Sequence, residues 1–195
     1  MIGGGRLPIS KHTTMIKTPP KYSDPFRYTL HLAQHGIDAR KICRIEKEGI
    51  CIKNFDKDVR QGRCPKIYIV RKGKDVLYVG YADQHIGSRL RYGLYPKNQK
   101  GYHGYGWKGE EDVELFVWVF EPFKTAIKKG DPGYDEYKRL VECIEAEIVF
   151  RIKSVTGKWP LYQQEIHFGN ENEEVVEVVA SDIIKYLSIL AEPKL

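Results

Sequence analysis

The stretch that most constrains this chain lies between residues 66 and 80. Lys66-Ile-Tyr-Ile-Val70 and Val76-Leu-Tyr-Val-Gly80 are runs of β-branched and aromatic residues separated by Arg71-Lys-Gly-Lys-Asp75. Two such runs around a short polar segment predict a β-hairpin turning at Gly73. With the turn centred there, Tyr68 and Tyr78 stand five residues either side of it, directly opposed on one face. Facing tyrosines ordinarily form a cross-strand packing pair. A short helix is expected over 84–92, and residues 113–120 are almost uninterruptedly apolar, as a central strand should be. Gly130-Asp131-Pro132-Gly133 signals a turn and a helix start. The strongest helix of the chain follows over 134–153. Lys158-Trp-Pro-Leu-Tyr162 then breaks into an extended segment, and 173–191 reads as a second helix.

The order strand, strand, helix, strand, helix implies an α/β (α+β) domain, a small antiparallel three-stranded sheet flanked by helices. Residues 1–25, with Pro8, Pro19, Pro20 and Pro25, read as a flexible or loosely docked arm. In residues 26–34, Phe26, Leu30 and Ala33 recur at four- and three-residue steps, predicting a short amphipathic helix ended by Gly36. Residues 39–55 stay ambiguous between helix (Ile42, Ile45) and strand (50–55). The expected division is an arm at 1–25, an N-terminal extension at 26–59 open to DNA recognition, a core at 60–168 and a C-terminal helix at 169–195 packed on that core.

Composition bounds the class of function. At 195 residues the chain has room for one domain plus an extension. Its longest apolar run, Leu115-Phe-Val-Trp-Val-Phe120, is six residues, against the roughly 20 of a membrane-spanning helix. The first ten residues hold no apolar signal region, four cysteines are too few for a disulfide-dense scaffold, and no CxxC pair supports a zinc ribbon. A cytoplasmic protein with no membrane partner is expected. The net charge of +6 is segregated: residues 60–108 carry +9 and residues 131–195 carry −6. The first half is therefore the candidate polyanion-facing part. Lys66, Arg71, Lys72, Lys74, Arg91 and Lys108 are its candidate phosphate contacts. Between Tyr92 and Trp107, Lys97 and Lys100 are interleaved with Tyr95, Tyr102, Tyr105 and four glycines. Such a mixture suits nucleic acid, with cations on phosphates and rings on bases. It equally suits a solvated loop whose tyrosines cover a small core.

The long helix carries an anomaly. At about 100° per residue, Val141, Ile144, Ile148 and Ile152 share one face, and Glu145 falls about 20° from Ile152 and about 40° from Val141. A carboxylate inside an apolar stripe must be paired, hydrogen-bonded or coordinating a cation. A buried salt bridge to an arginine and a bound metal are both open at this point. His31 and His35 stand at i and i+4, a spacing that can hold a metal, but Cys43 and Cys51 lack zinc-like spacing, which favours a solvated or packing role. No nucleophile motif surrounds Cys64, Cys143, Ser88 or Ser181.

Taken together, Ile67-Tyr68-Ile69, Tyr78-Val79-Gly80, Arg89 in Ser88-Arg89-Leu90, Ile144-Glu145-Ala146-Glu147-Ile148-Val149 and Trp159-Pro160-Leu161-Tyr162 follow in a distinctive order. This set resembles the GIY-YIG nuclease family over residues 66 to about 165, roughly half the chain. The resemblance implies a metal-dependent DNA endonuclease with one Mg²⁺ or Mn²⁺ per active site. By position, Tyr68 would activate or position the attacking water and Tyr78 would help orient it. Arg89 would hold the scissile phosphate and Glu145 would bind the ion. His103 falls where some members carry a loop histidine, and Gln163 where the family has asparagine. Lys66 replaces the first glycine of the motif, and Tyr92 and Gly93 occupy the turn that often holds a histidine. The layout is closest to the compact restriction endonucleases, which place recognition elements around one catalytic core. The implied partner is double-stranded DNA, with a homodimer matching palindromic cutting. A DNA-binding protein that does not cut, or a nuclease of single strands or RNA, uses the same scaffold differently.

Overall fold

The computed structural model describes residues 16–33, 36–44, 50–91, 103–110, 112–121 and 130–191. The hairpin forms as β4 (Lys66–Lys72) and β5 (Asp75–Ala82), joined by Gly73 and Lys74. Gly73 adopts φ +59°, which a residue without Cβ reaches at no steric cost. The register differs from the simple expectation. Tyr68 lies opposite Gly80, and Tyr78 opposite Val70, because the turn has two residues and a bulge follows at Val70/Arg71. A one-residue offset alone would have turned Tyr68 and Tyr78 to opposite faces. Turn and bulge together shift the pairing by two, so the tyrosines share a face as diagonal rather than direct neighbours. The bulge leaves its trace in the core, where consecutive Leu77 and Tyr78 pack into the same cluster.

β6 (Asp112–Val119) is buried at five consecutive positions from Leu115 to Val119 and pairs antiparallel with β4 on one side. A strand so apolar needs a partner on its other side as well, and β1 (Phe26–Ala33) supplies it. The helix expected over 26–34 is therefore a strand. Its deciding signal is the two-residue alternation of Phe26, Tyr28, Leu30 and Leu32, all on one side of the sheet, with Tyr28 and Leu30 fully buried. β2 (Gly36–Arg44) and β3 (Cys51–Ile52) continue outward, giving a six-stranded antiparallel sheet in the order β3-β2-β1-β6-β4-β5. The α+β class holds, and the three-stranded sheet is corrected to six because residues 26–52 add three strands to it. Cys43 and Cys51 face each other across β2 and β3 and form a disulfide.

The two faces are covered differently. α3 (Pro132–Thr156) and α4 (Glu173–Ala191) lie on one, burying Leu140, Val141, Ile144, Ile148, Val179 and Ile183 against Ile67, Ile69, Val79 and Trp118. α3 starts where expected: the Asp131 side chain accepts from the Gly133 N–H at 3.1 Å, and Pro132 occupies the first turn. The other face is closed by α1 (Lys57–Arg60), α2 (Ile86–Arg91) and a 3₁₀ helix (His103–Gly109), through Val59, Ile86, Leu90 and Trp107. Of the expected arm, residues 1–15 lie outside the described residues. Tyr22 and Ser23 dock on the end of β6, where Ser23 N–H donates to the Val119 carbonyl at 2.9 Å. Among the described residues no helix is long and apolar enough to cross a membrane.

Candidate active site

β5 is an edge strand, and an edge leaves a row of backbone donors and acceptors to satisfy. The segment after α3 covers part of it. Leu161 and Tyr162 N–H groups donate to the Val76 and Leu77 carbonyls at 3.2 and 2.8 Å. Gln163 then turns its side chain onto the strand, its Oε1 accepting from the Val79 N–H at 3.1 Å while Nε2 donates to the Glu165 carbonyl at 3.0 Å. Gln163 thus ends beside Val79-Gly80, in direct contact with the hairpin.

On the face of that hairpin the Tyr68 and Tyr78 rings lie 5.9 Å apart, inclined at 36°. Gly80 makes the pair possible. A Cβ built there would lie under 3.0 Å from Tyr68 Cζ, Tyr68 Oη and Tyr78 Cε1. The two phenols therefore occupy the space that any other residue at 80 would fill.

Arg89 and Glu145 arrive from different helices. On α2, Ile86 and Leu90 are fully buried, which fixes the helix on the sheet and leaves Arg89 half-buried beside them. On α3, Ile144 and Ile148 face the core, and Glu145 sits at the margin of that stripe, part of its surface still open to solvent. Surrounding protein nonetheless pushes the Glu145 carboxyl up to about 8; the Arg89 charge pulls against that shift and Glu142 adds to it. The arginine that acts on the carboxylate is thus Arg89, so the structure brings together residues 56 positions apart in sequence.

The remaining expected positions divide. Lys66 does not face a polyanion: it is fully buried, and its ammonium donates to the carbonyls of Gln61 (2.6 Å), Cys64 (2.6 Å) and Gln84 (3.3 Å). Burial pulls its pKa down to about 8. Arg71 is also drawn inward. It donates through Nε and Nη2 to Glu114 at 2.8 and 2.6 Å and lies 5.0 Å from the Phe116 ring centre. β4 is buried at every position from Lys66 to Arg71, so both cations are drawn into the sheet, which a charge count does not register. Lys72 is half-exposed and donates to Glu110 at 2.7 Å, while Lys74 is exposed at the hairpin tip and Lys108 lies over the Trp107 ring. Tyr92, Lys97, Lys100 and Tyr102 lie outside the described residues, as do the side chains of Arg91, His103 and Tyr105. His31 pairs with Asp112 at 2.9 Å, on β1.

Sequence reasoning passed over one group beside the site. Glu110 accepts from both Lys72 and Tyr162, and these hydrogen bonds hold its carboxyl below the usual range. The signal for it was the Tyr162 that follows Pro160 by two residues. Comparisons of the chain with protein-family models, with characterised proteins and with solved structures return no match.

Proposed function

We propose that this chain is a metal-dependent DNA endonuclease of GIY-YIG type, closest to the restriction enzymes, hydrolysing a phosphodiester at the β5 edge. One observation carries the reading: two tyrosines share the hairpin face at Gly80, Gln163 holds the adjoining Val79 amide, and Arg89 of α2 acts on the Glu145 carboxylate of α3. Each has a role in phosphodiester chemistry. Arg89, charged at any working pH, neutralises the phosphate as negative charge gathers on it. Tyr68 and Tyr78 hold and orient the attacking water through their hydroxyls. Gln163 locks the following segment to the Val79 amide and so fixes one wall of the site.

The Glu145 carboxylate fits a divalent cation. Its ionised form is disfavoured by burial and only partly compensated by Arg89, and a bound Mg²⁺ or Mn²⁺ supplies the missing positive charge. Such an ion, when bound, stabilises the departing oxygen. Glu145 would hold it.

The test is digestion of mixed, unmethylated duplex DNA with and without Mg²⁺ or Mn²⁺, comparing the native chain with Glu145→Ala. Discrete metal-dependent fragments, lost in the variant, are the expected result. Intact DNA that is still bound with strong salt dependence would instead identify a scaffold that binds without cutting. Cleavage of single strands or RNA alone would redirect the substrate.

A further inference from the structure

Beside the β5 edge, away from the tyrosines, lies a cleft of about 570 Å³ between the hairpin tip and the C-terminal end of α3. Val76, Leu77 and Ile152 form its floor, and Trp159 and Leu161 its wall. Trp159 is 45% exposed and Leu161 59%, although Trp107 and Trp118 are buried. The Trp159 ring meets Phe150 edge-on at 5.8 Å, and the Lys153 ammonium lies 5.8 Å from its centre. Lys72, Lys74 and Lys158 line the cleft together with Asp75 and Glu110, and Lys72 is paired with Glu110 at 2.7 Å. Among the described residues neither Lys74 nor Lys158 has an ion-pair partner, and both are exposed.

An accessible indole held edge-on by Phe150, with Lys74 and Lys158 exposed on the same cleft, is an arrangement that stacks a nucleobase and neutralises its phosphates. We propose that this cleft is a second DNA subsite, taking an unpaired nucleotide of the strand that runs from the candidate active site, with the base on Trp159 and the backbone on Lys74 and Lys158. The inference rests on the endonuclease reading for the direction of the strand. Its own warrant is the cleft. The two sites share β5 and the 158–163 segment. Val76 to Gly80 spans four residues, about 13 Å at ~3.3 Å each. A volume of this size is ordinary for a small-ligand pocket and admits one nucleotide.

Because the other two tryptophans are buried, Trp159 is a built-in reporter. The full chain, without divalent metal, is titrated with a duplex bearing a four-nucleotide single-stranded overhang, following tryptophan emission and, separately, anisotropy of the labelled DNA. Emission is expected to be quenched on binding, and the quench to disappear in Trp159→Phe. Trp159→Ala is expected to weaken binding by about 5- to 150-fold, the range base–aromatic stacking contributes. Lys74→Ala/Lys158→Ala, at exposed positions that do not endanger folding, is expected to lower the slope of log affinity against log salt by about 1.4. DNA bound with no quench, and with native affinity and salt slope in these variants, overturns the subsite while leaving the endonuclease reading intact. Quenching without cleavage in any metal overturns the endonuclease and keeps the subsite. No binding of this DNA at all overturns both.

Discussion

Gly80→Ala is the substitution that most sharply tests how the hairpin presents its tyrosines. The added methyl meets three atoms under 3.0 Å, all from Tyr68 and Tyr78, whose rings are themselves buried. Neither ring can swing into solvent without opening the core, so the chain must overpack or displace the phenols. Overpacking of this kind costs ~1–3 kcal/mol. For a domain of this size that corresponds to a fall in Tm of about 2–12 °C. Gly62→Ala and Gly109→Ala are matched controls, because a Cβ at either position meets nothing within 4 Å. Urea unfolding of the three variants gives the stabilities, and metal-dependent DNA cleavage gives the consequence for the site. Gly80→Ala alone is expected to lose both. Its cost is also expected to be shared with Tyr68: the double variant Gly80→Ala/Tyr68→Leu, in which the ring is gone, loses less than the sum of the single changes. It recovers stability without recovering cleavage. Stability and cleavage of Gly80→Ala equal to those of the Gly62 control would refute the reasoning.

Two further outcomes follow from the charges and the cross-link. Burial raises the Glu145 carboxyl from 4.5 to about 8, so the folded chain holds that proton more tightly than the unfolded one. Stability is then full below pH 4.5, declines as the pH rises toward 8 and is flat above. Glu145→Gln removes this slope and makes the metal-free protein more stable at pH 9, by on the order of a few kcal/mol at ~1.4 kcal/mol per unit. Urea midpoints at pH 5 and pH 9 check it, and native and variant proteins with the same pH dependence would contradict it. At the other edge of the sheet, reduction of Cys43–Cys51, or Cys43→Ser/Cys51→Ser, is expected to cost about 2–3 kcal/mol for a loop of this length. Cleavage at 25 °C is expected to survive it, since five strand spacings of ~4.8 Å separate β3 from β5. A reduced protein that stays folded but no longer cuts would show that the two edges are coupled.

Elements whose signal is local were readable from the sequence. The hairpin, α2, β6 and both long helices fall within a few residues of expectation, because alternation, helical periodicity and the Asp131-Pro132 start act over neighbouring residues. Residues 26–52 were harder, because their character is decided by pairing. Phe26, Leu30 and Ala33 satisfy a helical spacing, but Phe26, Tyr28, Leu30 and Leu32 also satisfy a strand, and only the need of β6 for a second neighbour chooses between them. The same holds at the site. Glu145 stood out from periodicity alone, whereas its neighbour Arg89 is set by how two helices pass the sheet edge. Lys66 and Arg71 counted as surface charge in the composition, yet they meet three carbonyls and Glu114 respectively.

The covering of β5 joins these observations. An exposed edge strand invites pairing with another chain, and here the backbone of 161–162 and the Gln163 amide occupy the Val76, Leu77 and Val79 positions. The cover stops at Val79, where the glycine and the two phenols begin. Pro160 is buried just before it and Trp159 projects just beyond, so the segment that protects the edge also sets both Gln163 and the indole relative to the hairpin. Loosening this segment therefore perturbs both proposed DNA contacts together, whereas changes in β1 to β3 reach them only through the intervening strands.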